Sequence, residues 1–444
     1  MKLWDKGISV NEWIERFTVG SDREMDLYLA EFDILGTIAH ITMLETIGLI
    51  GKDELPILKK ELIEIYQQIK VGNFTIEKEV EDVHSQVELM LTRKLGDLGK
   101  KVHSGRSRND QVLLDCKLLI RSEILKTVEA IKRLFDVLIS QSEKYKDVLM
   151  PGYTHMQVAM PSSFGLWFGA YAESLTDDVL LLQTAYKIAN QNPLGSAAGY
   201  GSSFPINRTL TTRLLGFEDL SYNVVYAQMG RGKTEKITAF ALSSVAATLS
   251  RLAMDICLYL SQNFAFVSLP EEFTTGSSIM PHKKNPDVFE LIRAKCNKMQ
   301  ALPNNICLLL VNLPSGYFRD MQILKEMLFP AFAELRDSID IAAYMMDKLI
   351  INRNILDDEH YRYLFSVEEV NKLVLKGIPF RDAYKQIAKE IANGKFKPEK
   401  KVHHTHIGSI GNLSNDKIKN KMKKNMERFR FEKINQSIEK ILIS

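Results

Sequence analysis

Cysteine is scarce in this 444-residue chain: the four present, Cys116, Cys257, Cys296 and Cys307, are scattered with no metal-ligand spacing. That usage excludes a disulfide scaffold and fits a reducing interior. Excess charge of one sign is missing too. A net charge of +3 is too small to argue for nucleic acid, and no block of like charges is long enough for a binding tail. The most basic piece, 414–424 (SNDKIKNKMKK), reads as the polar face of a C-terminal helix. Long uninterrupted apolar runs are also lacking. The most apolar segment, around 237–260, is broken by Arg251 and Asp255 before it reaches a membrane-spanning length. Nothing at the N-terminus resembles a signal peptide. The expectation is a cytoplasmic protein with neither membrane nor nucleic-acid partners. Internal repeats and period-2 alternation are absent as well, which leaves an all-α reading.

What the chain does have is helical periodicity in an ordinary globular composition, 45% hydrophobic and 25% charged, at a length that suggests two or three domains. Residues 1–106 mix short helical patterns, at 26–50, 52–71 and 83–95, with turn residues. From 107 the character changes. Val112, Cys116, Ile120, Ile124, Val128, Ile131, Phe135 and Leu138 recur every three or four residues, predicting one helix over 107–149 that Pro151 ends. Four more are expected: Pro161–Asn190, Gly232–Asn263, Pro286–Asn312 and Phe318–Ile351, the last two kinked at Pro303 and Pro330. Helices this long suggest an elongated central bundle over 107–352 whose core several chains share. Shorter helices return in a small C-terminal domain, 353–444.

The polar residues of interest fall in the joints between these helices. The stretch 271–290 reads EEFTTGSSIMPHKKNPDVFE. Asn285 as N-cap and Pro286 at the first helical position predict a helix start there. The preceding loop, with Ser277, Ser278, Lys283 and Lys284, then meets a positive helix end that suits an anion, with Glu290 one turn in. A substrate bearing carboxylates is the natural guest. The stretch 103–111 (HSGRSRNDQ) places Arg108 and Asn109 at a helix start as a second carboxylate site. In 150–161 (MPGYTHMQVAMP), His155 sits in a Gly/Pro-bounded loop, accessible and able to transfer protons near neutrality, beside Thr154. His84 follows Glu81 and Asp82, and the stretch 315–326 (SGYFRDMQILKE) offers Tyr317, Gln322 and Lys325. Three other features are dismissed. GRGKT at 230–234 lacks the first glycine of a phosphate-binding loop, since position 227 is Ala227. His403, His404 and His406 have no companion ligands at a known spacing. Met321, Met327, Met345 and Met346 read as core filler.

GSSIMPHKKNPD resembles the signature loop of the fumarase/aspartase superfamily, GSSxMPxKxNP, at every fixed position. MPGYTHxQ resembles the second motif of that superfamily, and the double lysine before NPD, HSGRSRND, EDVHS, QNPLGSAAG and KGIPFRDAY (376–384) resemble in particular the branch that cleaves argininosuccinate. The resemblance spans about 10–375. It implies a three-domain all-α fold with a central bundle of five long helices, no metal or other cofactor, and a homotetramer whose active sites draw on three subunits. It further implies Ser277 as the base and His155 as the acid, with Glu290 supporting His155 and Lys283 and Asn285 completing an anion hole. Arg108, Asn109, Thr154, His84, Ser278, Tyr317, Gln322 and Lys325 would hold substrate. Two places depart from the family's pattern: Asp22 stands where a substrate-contact serine is usual, and MGRGK replaces SDRD, leaving Arg231 as the nearest equivalent. A sister lyase acting on adenylosuccinate, malate or aspartate, or a non-enzymatic crystallin-like role, are the alternatives.

Overall fold

The computed structural model describes residues 11–276 and 278–443. Helices α1 (Glu12–Val19), α2 (Asp22–Asp26), α3 (Ala30–Thr46), α4 (Glu54–Lys70), α5 (Val83–Leu95) and α6 (Asp97–Lys100) form the N-terminal part. Then α7 (Arg108–Lys144) runs unbroken for 37 residues, about 55 Å at 1.5 Å per residue. It starts where the sequence caps it: Ser107 and Asp110 make a reciprocal capping box.

After α7 the chain departs from expectation. Residues 149–163 form an antiparallel hairpin, β1 (Leu149–Thr154) with β2 (Gln157–Ser163), where a plain loop was expected. Pro161 therefore lies in β2, and α8 (Phe164–Ala189) begins three residues later, capped by Ser163 Oγ accepting Leu166 N–H at 3.1 Å. The turn pairs Thr154 with Gln157 and leaves His155 and Met156 at φ 53° and 59°. Two left-handed central residues are the geometry of a tight hairpin turn, usually given to Asn-Gly.

Strand β3 (Gln191–Asn192) pairs in parallel with β4 (Asp219–Leu220), with α9 (Arg208–Leu214) between them and α10 (Val224–Met229) after. Helix α11 (Lys233–Leu260) opens at Gly232, whose φ of 78° and contact with the Leu310 side chain leave no room for a Cβ. Strand β5 (Val267–Ser268) leads to the 271–290 stretch. Helix α12 (Asp287–Met299) follows, with Pro286 in the capping position, so Asn285 does not cap it as expected. The expected fourth long helix is two: α12 stops at 299 and α13 (Leu302–Leu309) restarts with Pro303 in its first turn. A proline lacks the N–H a continuous helix needs, but fits the opening turn of a new one. Helix α14 (Ile323–Asp347) instead carries Pro330 within it. Strand β6 (Ile350–Ile351) pairs with β5. Helices α15 (Ser366–Leu375), α16 (Phe380–Ala392), α17 (Asn415–Glu427) and α18 (Phe431–Ile443) complete the chain.

Side-chain contacts give the directions. Arg121 near the start of α7 meets Asn190 after α8, and Ser142 near its end meets Gly165, so α7 and α8 are antiparallel. Asp178 of α8 accepts from Ser244 and Thr248, and Trp167 donates to Asp255, so α11 turns back again. Ser250 and Asn297 join α11 to an antiparallel α12. Glu123 with Arg336, and Gln141 with the Met346 carbonyl, run α14 parallel to α7. The starts of α7, α11 and α14 therefore lie at one end of the bundle and their finishes at the other.

One apolar core runs from α3 through these helices to α18, with Ile124, Val128, Leu242 and Phe332 fully buried. A separate small core gathers Val370, Ala383, Ile387 and Phe396. Helix α11 is apolar and long enough to cross a membrane by length and composition, but half of its most apolar stretch is packed inside the bundle. Its remaining apolar surface, with Phe240, Met254, Leu291 of α12 and Leu308 of α13, is exposed. Phe332 is central to α14, so Phe332→Ala is expected to cost about 3–5 kcal/mol, read as a lower urea midpoint by circular dichroism.

Candidate active site

The expected site residues divide between the two ends of the bundle. At the first end, Arg108 opens α7 and reaches the Glu81 and Asp82 carboxylates at 3.3 and 2.9 Å. Asp82 itself caps α5, accepting Ser85 N–H at 2.8 Å, which fixes His84 one residue into that helix. Arg319 takes the other Glu81 oxygen at 2.7 Å. Asp110 accepts Ser107 N–H at 2.8 Å, and its other oxygen accepts Gly195 and Ala197 N–H at 3.0 and 2.9 Å. That single carboxylate draws the QNPLGSAAG loop against the start of α7.

Beside this lies a second charged group. Lys325 Nζ is buried between Asp26, at 2.6 Å, and Asp22. Burial raises the Asp22 carboxyl to about 6, with Asp26 adding to the rise and Lys325 opposing it. Burial alone would depress the Lys325 ammonium, but the two carboxylates outweigh it and hold the group charged. Arg231, also buried, packs its Nε 2.8 Å from Glu235 and donates to the Met321 carbonyl at 3.2 Å. Tyr317 is half-buried within the fields of Arg231, Lys325 and Asp22. Gln322 spends its amide N–H groups on the Thr18 and Val19 carbonyls, each at 3.1 Å. Among the buried polar atoms without a hydrogen-bond partner at this end is one Arg108 nitrogen, Nη2.

His84 sits deeper, its Nδ1 2.8 Å from Asp33 and 3.6 Å from Asp115. Burial alone would lower its pKa, but the carboxylates of Asp33, Asp115 and Asp82 reverse this and raise it to about 9. Asp26, Asp33, Asp110, Asp115 and Glu235 were not expected from the sequence. The available signal was polar residues interrupting the apolar stripe of α7: Arg108, Gln111 and Asp115 recur at helical spacing on one face.

At the other end, Thr154 and His155 are exposed at the tip of the β1–β2 hairpin. The hairpin is seated through Tyr153 on Phe264 and Phe266, ring centroids 5.6 and 6.4 Å away. The 271–290 stretch leaves the bundle at this same end, where Phe273 packs on Tyr344. Asn285 and Thr275 pair backbone to backbone, with Asn285 N–H donating to the Thr275 carbonyl at 2.9 Å, and this closes the loop. Ser278 and Lys283 are exposed within it, and Glu290 is exposed on α12. Ser277 lies outside the described residues. Among the described residues no hydrogen bond or ion pair links His155 with Glu290.

Buried charges thus gather at one end of this helical bundle and exposed loops at the other. Residues 10–301 match the family model described as Lyase. A solved EDDS lyase variant with bound fumarate superposes with a TM-score of 0.75 at 21% identity, covering 98% of this chain and 97% of that one. The class II fumarase of Schistosoma mansoni does so at 0.70 and 18%, covering 86% and 93%. These likenesses show the fold. Argininosuccinate lyases from Phocaeicola vulgatus and Bacteroides fragilis are each 64% identical, over 99% and 100% of this chain and 99% of their own lengths. That of Thermotoga neapolitana is 38% identical over 89% of this chain and 99% of its own. The chain belongs to the argininosuccinate lyase family.

Two outcomes follow for this charged end. Lys325→Met would leave Asp22 and Asp26 buried without their cation and should cost about 3–5 kcal/mol in urea unfolding. A histidine pKa raised from its ordinary 6.5 to about 9 contributes stability fully present below the lower value and lost as pH rises through the higher. The melting temperature should therefore fall across that window, and fall less in His84→Gln.

Proposed function

We propose that this chain catalyses the reversible β-elimination of argininosuccinate to fumarate and L-arginine. The observation that carries the reading is the 64% identity to argininosuccinate lyases along essentially the whole chain. The chemistry requires removal of a weakly acidic carbon-bound proton next to a carboxylate. The C–N bond then breaks, its electron pair leaves with the guanidino nitrogen, and a C=C bond forms. Negative charge builds on the carboxylate, so preorganised donors there lower the barrier most.

Ser277 is assigned as the base. Its alkoxide and the developing charge are stabilised by Lys283, Asn285, Ser278 and the loop amides. His155 protonates the departing nitrogen, with Thr154 beside it and Glu290 supporting the imidazolium. The second carboxylate is held by Arg108, whose Nη2 is unpaired, and by the amide of Asn109. His84, Tyr317 and Gln322 complete the binding surface. Lys325 contributes as the charge that fixes Asp22 at its edge. No metal, nucleotide or redox group takes part in this scheme.

The assigned residues stand at ends of the bundle separated by the length of α7, about 55 Å. A working site is therefore assembled between chains, and a homotetramer is the proposed form. The central region, 107–352, makes the shared bundle, while 1–106 and 353–444 flank it. Exposed Phe240, Met254, Leu291 and Leu308 supply the apolar surface for that association. Cytoplasmic location belongs to the same reading and is supported by four free cysteines.

Purified protein should release fumarate from argininosuccinate, measured by ultraviolet absorbance, and Ser277→Ala and His155→Asn should each lose about 10²-fold or more in kcat. Release only from adenylosuccinate, malate or aspartate would transfer the reading to a sister lyase. No release from any of them would bring the structural role forward. Assembly between chains has its own test. His155→Asn and Arg108→Gln, each inactive alone, should regain activity when unfolded and refolded together. Mixtures that stay inactive would rule out shared sites.

A further inference from the structure

The group around His84 is more elaborate than a substrate contact needs. Three buried side chains converge from three separate helices: Asp33 from α3, His84 from α5 and Asp115 from α7. Asp33 accepts from His84 Nδ1 at 2.8 Å and from Gln111 Nε2 at 3.3 Å. Asp33 Oδ2, Asp115 Oδ2 and Gln111 Oε1 are buried with no hydrogen-bond partner. Burying that much acceptor capacity is costly unless a positive charge sits among the acceptors.

Imidazole geometry settles what the cluster can do. With Nδ1 directed at the two carboxylates, Nε2 points away from both, and among the described residues it has no partner. The other charges facing the ring are Asp82 at the cap of α5, which pairs with Arg108, and His103, whose charging the ring opposes. Arg106, before α7, faces both Asp33 and Asp115. Burial and the neighbouring Asp33 charge push the Asp115 carboxyl well up, with His84 and Arg106 opposing. Asp33 is therefore the principal counter-charge of the ring and Asp115 the lesser.

We propose that Asp33 and Asp115 are positioning residues that clamp His84 Nδ1–H, keep the ring cationic, and so present Nε2–H as a fixed donor to a substrate carboxylate. The proposal rests on the reaction assigned above for the identity of that carboxylate. A neutral histidine that keeps the hydrogen bond to the Asp33 carboxylate must carry its one proton on Nδ1, which leaves Nε2 with no hydrogen to donate. The charged ring carries it always. A divalent cation on the same three side chains would have to displace the Nδ1 proton that Asp33 accepts, against the field of Arg106.

The test titrates histidine-labelled protein by NMR without substrate, with the His84 signal assigned by its loss in His84→Gln. The wild-type ring is expected to titrate near 9. In Asp33→Asn, which keeps an acceptor but not the charge, the midpoint should drop by roughly 1–3 units. Asp115→Asn should drop it less, and Asp33→Glu should restore it. The alkaline limb of kcat/KM for fumarate release should move with the ring in each variant. A wild-type midpoint at or below the ordinary value of about 6.5 would overturn the proposal. So would an Asp33→Asn midpoint that does not move while only the melting temperature falls. Tight Zn²⁺ binding, measured calorimetrically on wild type and lost in Asp33→Asn, would overturn it in favour of a metal site. Because the titration needs no substrate, it stands even if argininosuccinate proves not to be the substrate, in which case only the rate arm is lost.

Discussion

A hydrogen-bonded helix of 37 residues cannot bring its two ends together, and α7 imposes that separation on the whole molecule. The helices packed along it repeat the division. Starts of α7, α11 and α14 gather the buried cations and carboxylates at one end. Their finishes carry the hairpin and the 271–290 loop at the other. In the assignment proposed above, the carboxylate clamp lies at one end and the proton-transfer groups at the other. That separation, the length of α7, is what the proposed association between chains would overcome.

The charged end is built as a set of mutually dependent pairs. Arg108 is divided between Glu81 and Asp82, Lys325 between Asp22 and Asp26, and His84 between Asp33 and Asp115. Each cation is positioned by two acids from segments distant in sequence. An ammonium or guanidinium held this way loses little freedom when a substrate arrives, which is the advantage of preorganisation. The departure at Asp22 belongs to this pattern. A carboxylate there gives Lys325 a second partner and places a negative edge beside Tyr317, where a hydroxyl would leave the ammonium less neutralised.

The loop end is built differently. His155 and Met156 occupy left-handed backbone at a hairpin tip, a conformation that side-chain-bearing residues adopt at a cost. Strand pairing on either side and the seating of Tyr153 on Phe264 and Phe266 hold it there. Thr275 and Asn285 pair across the base of the 271–290 stretch, and residues 278–284 are exposed. One end is thus built of buried charged pairs, the other of exposed loop residues.

Much of this was legible in the sequence, for local reasons. The helix over 83–95 is observed with those bounds, and the start of α7 is set by Ser107 and Asp110, because caps and apolar periodicity act over a few residues. The motifs named Arg108, Asn109, His84, Thr154, His155 and Lys283 as polar residues at helix joints, and the structure finds them there. The hairpin at 149–163 escaped notice because its strands lack alternation and its turn lacks Asn-Gly; pairing between the strands decides it. The division of Pro286–Asn312 into α12 and α13 depends on packing against α11 and α14, which no local pattern carries. By itself the sequence determined most of the long helices, the start of α7 and part of the inventory of reactive groups, since each is a short-range property. Only the tertiary structure decided which groups meet: that Lys325 is taken by Asp22 and Asp26, that Asp33 and Asp115 close on His84, and that His155 stands a helix-length from Arg108. Those are contacts between residues tens to hundreds of positions apart, and they follow from the direction in which each long helix runs.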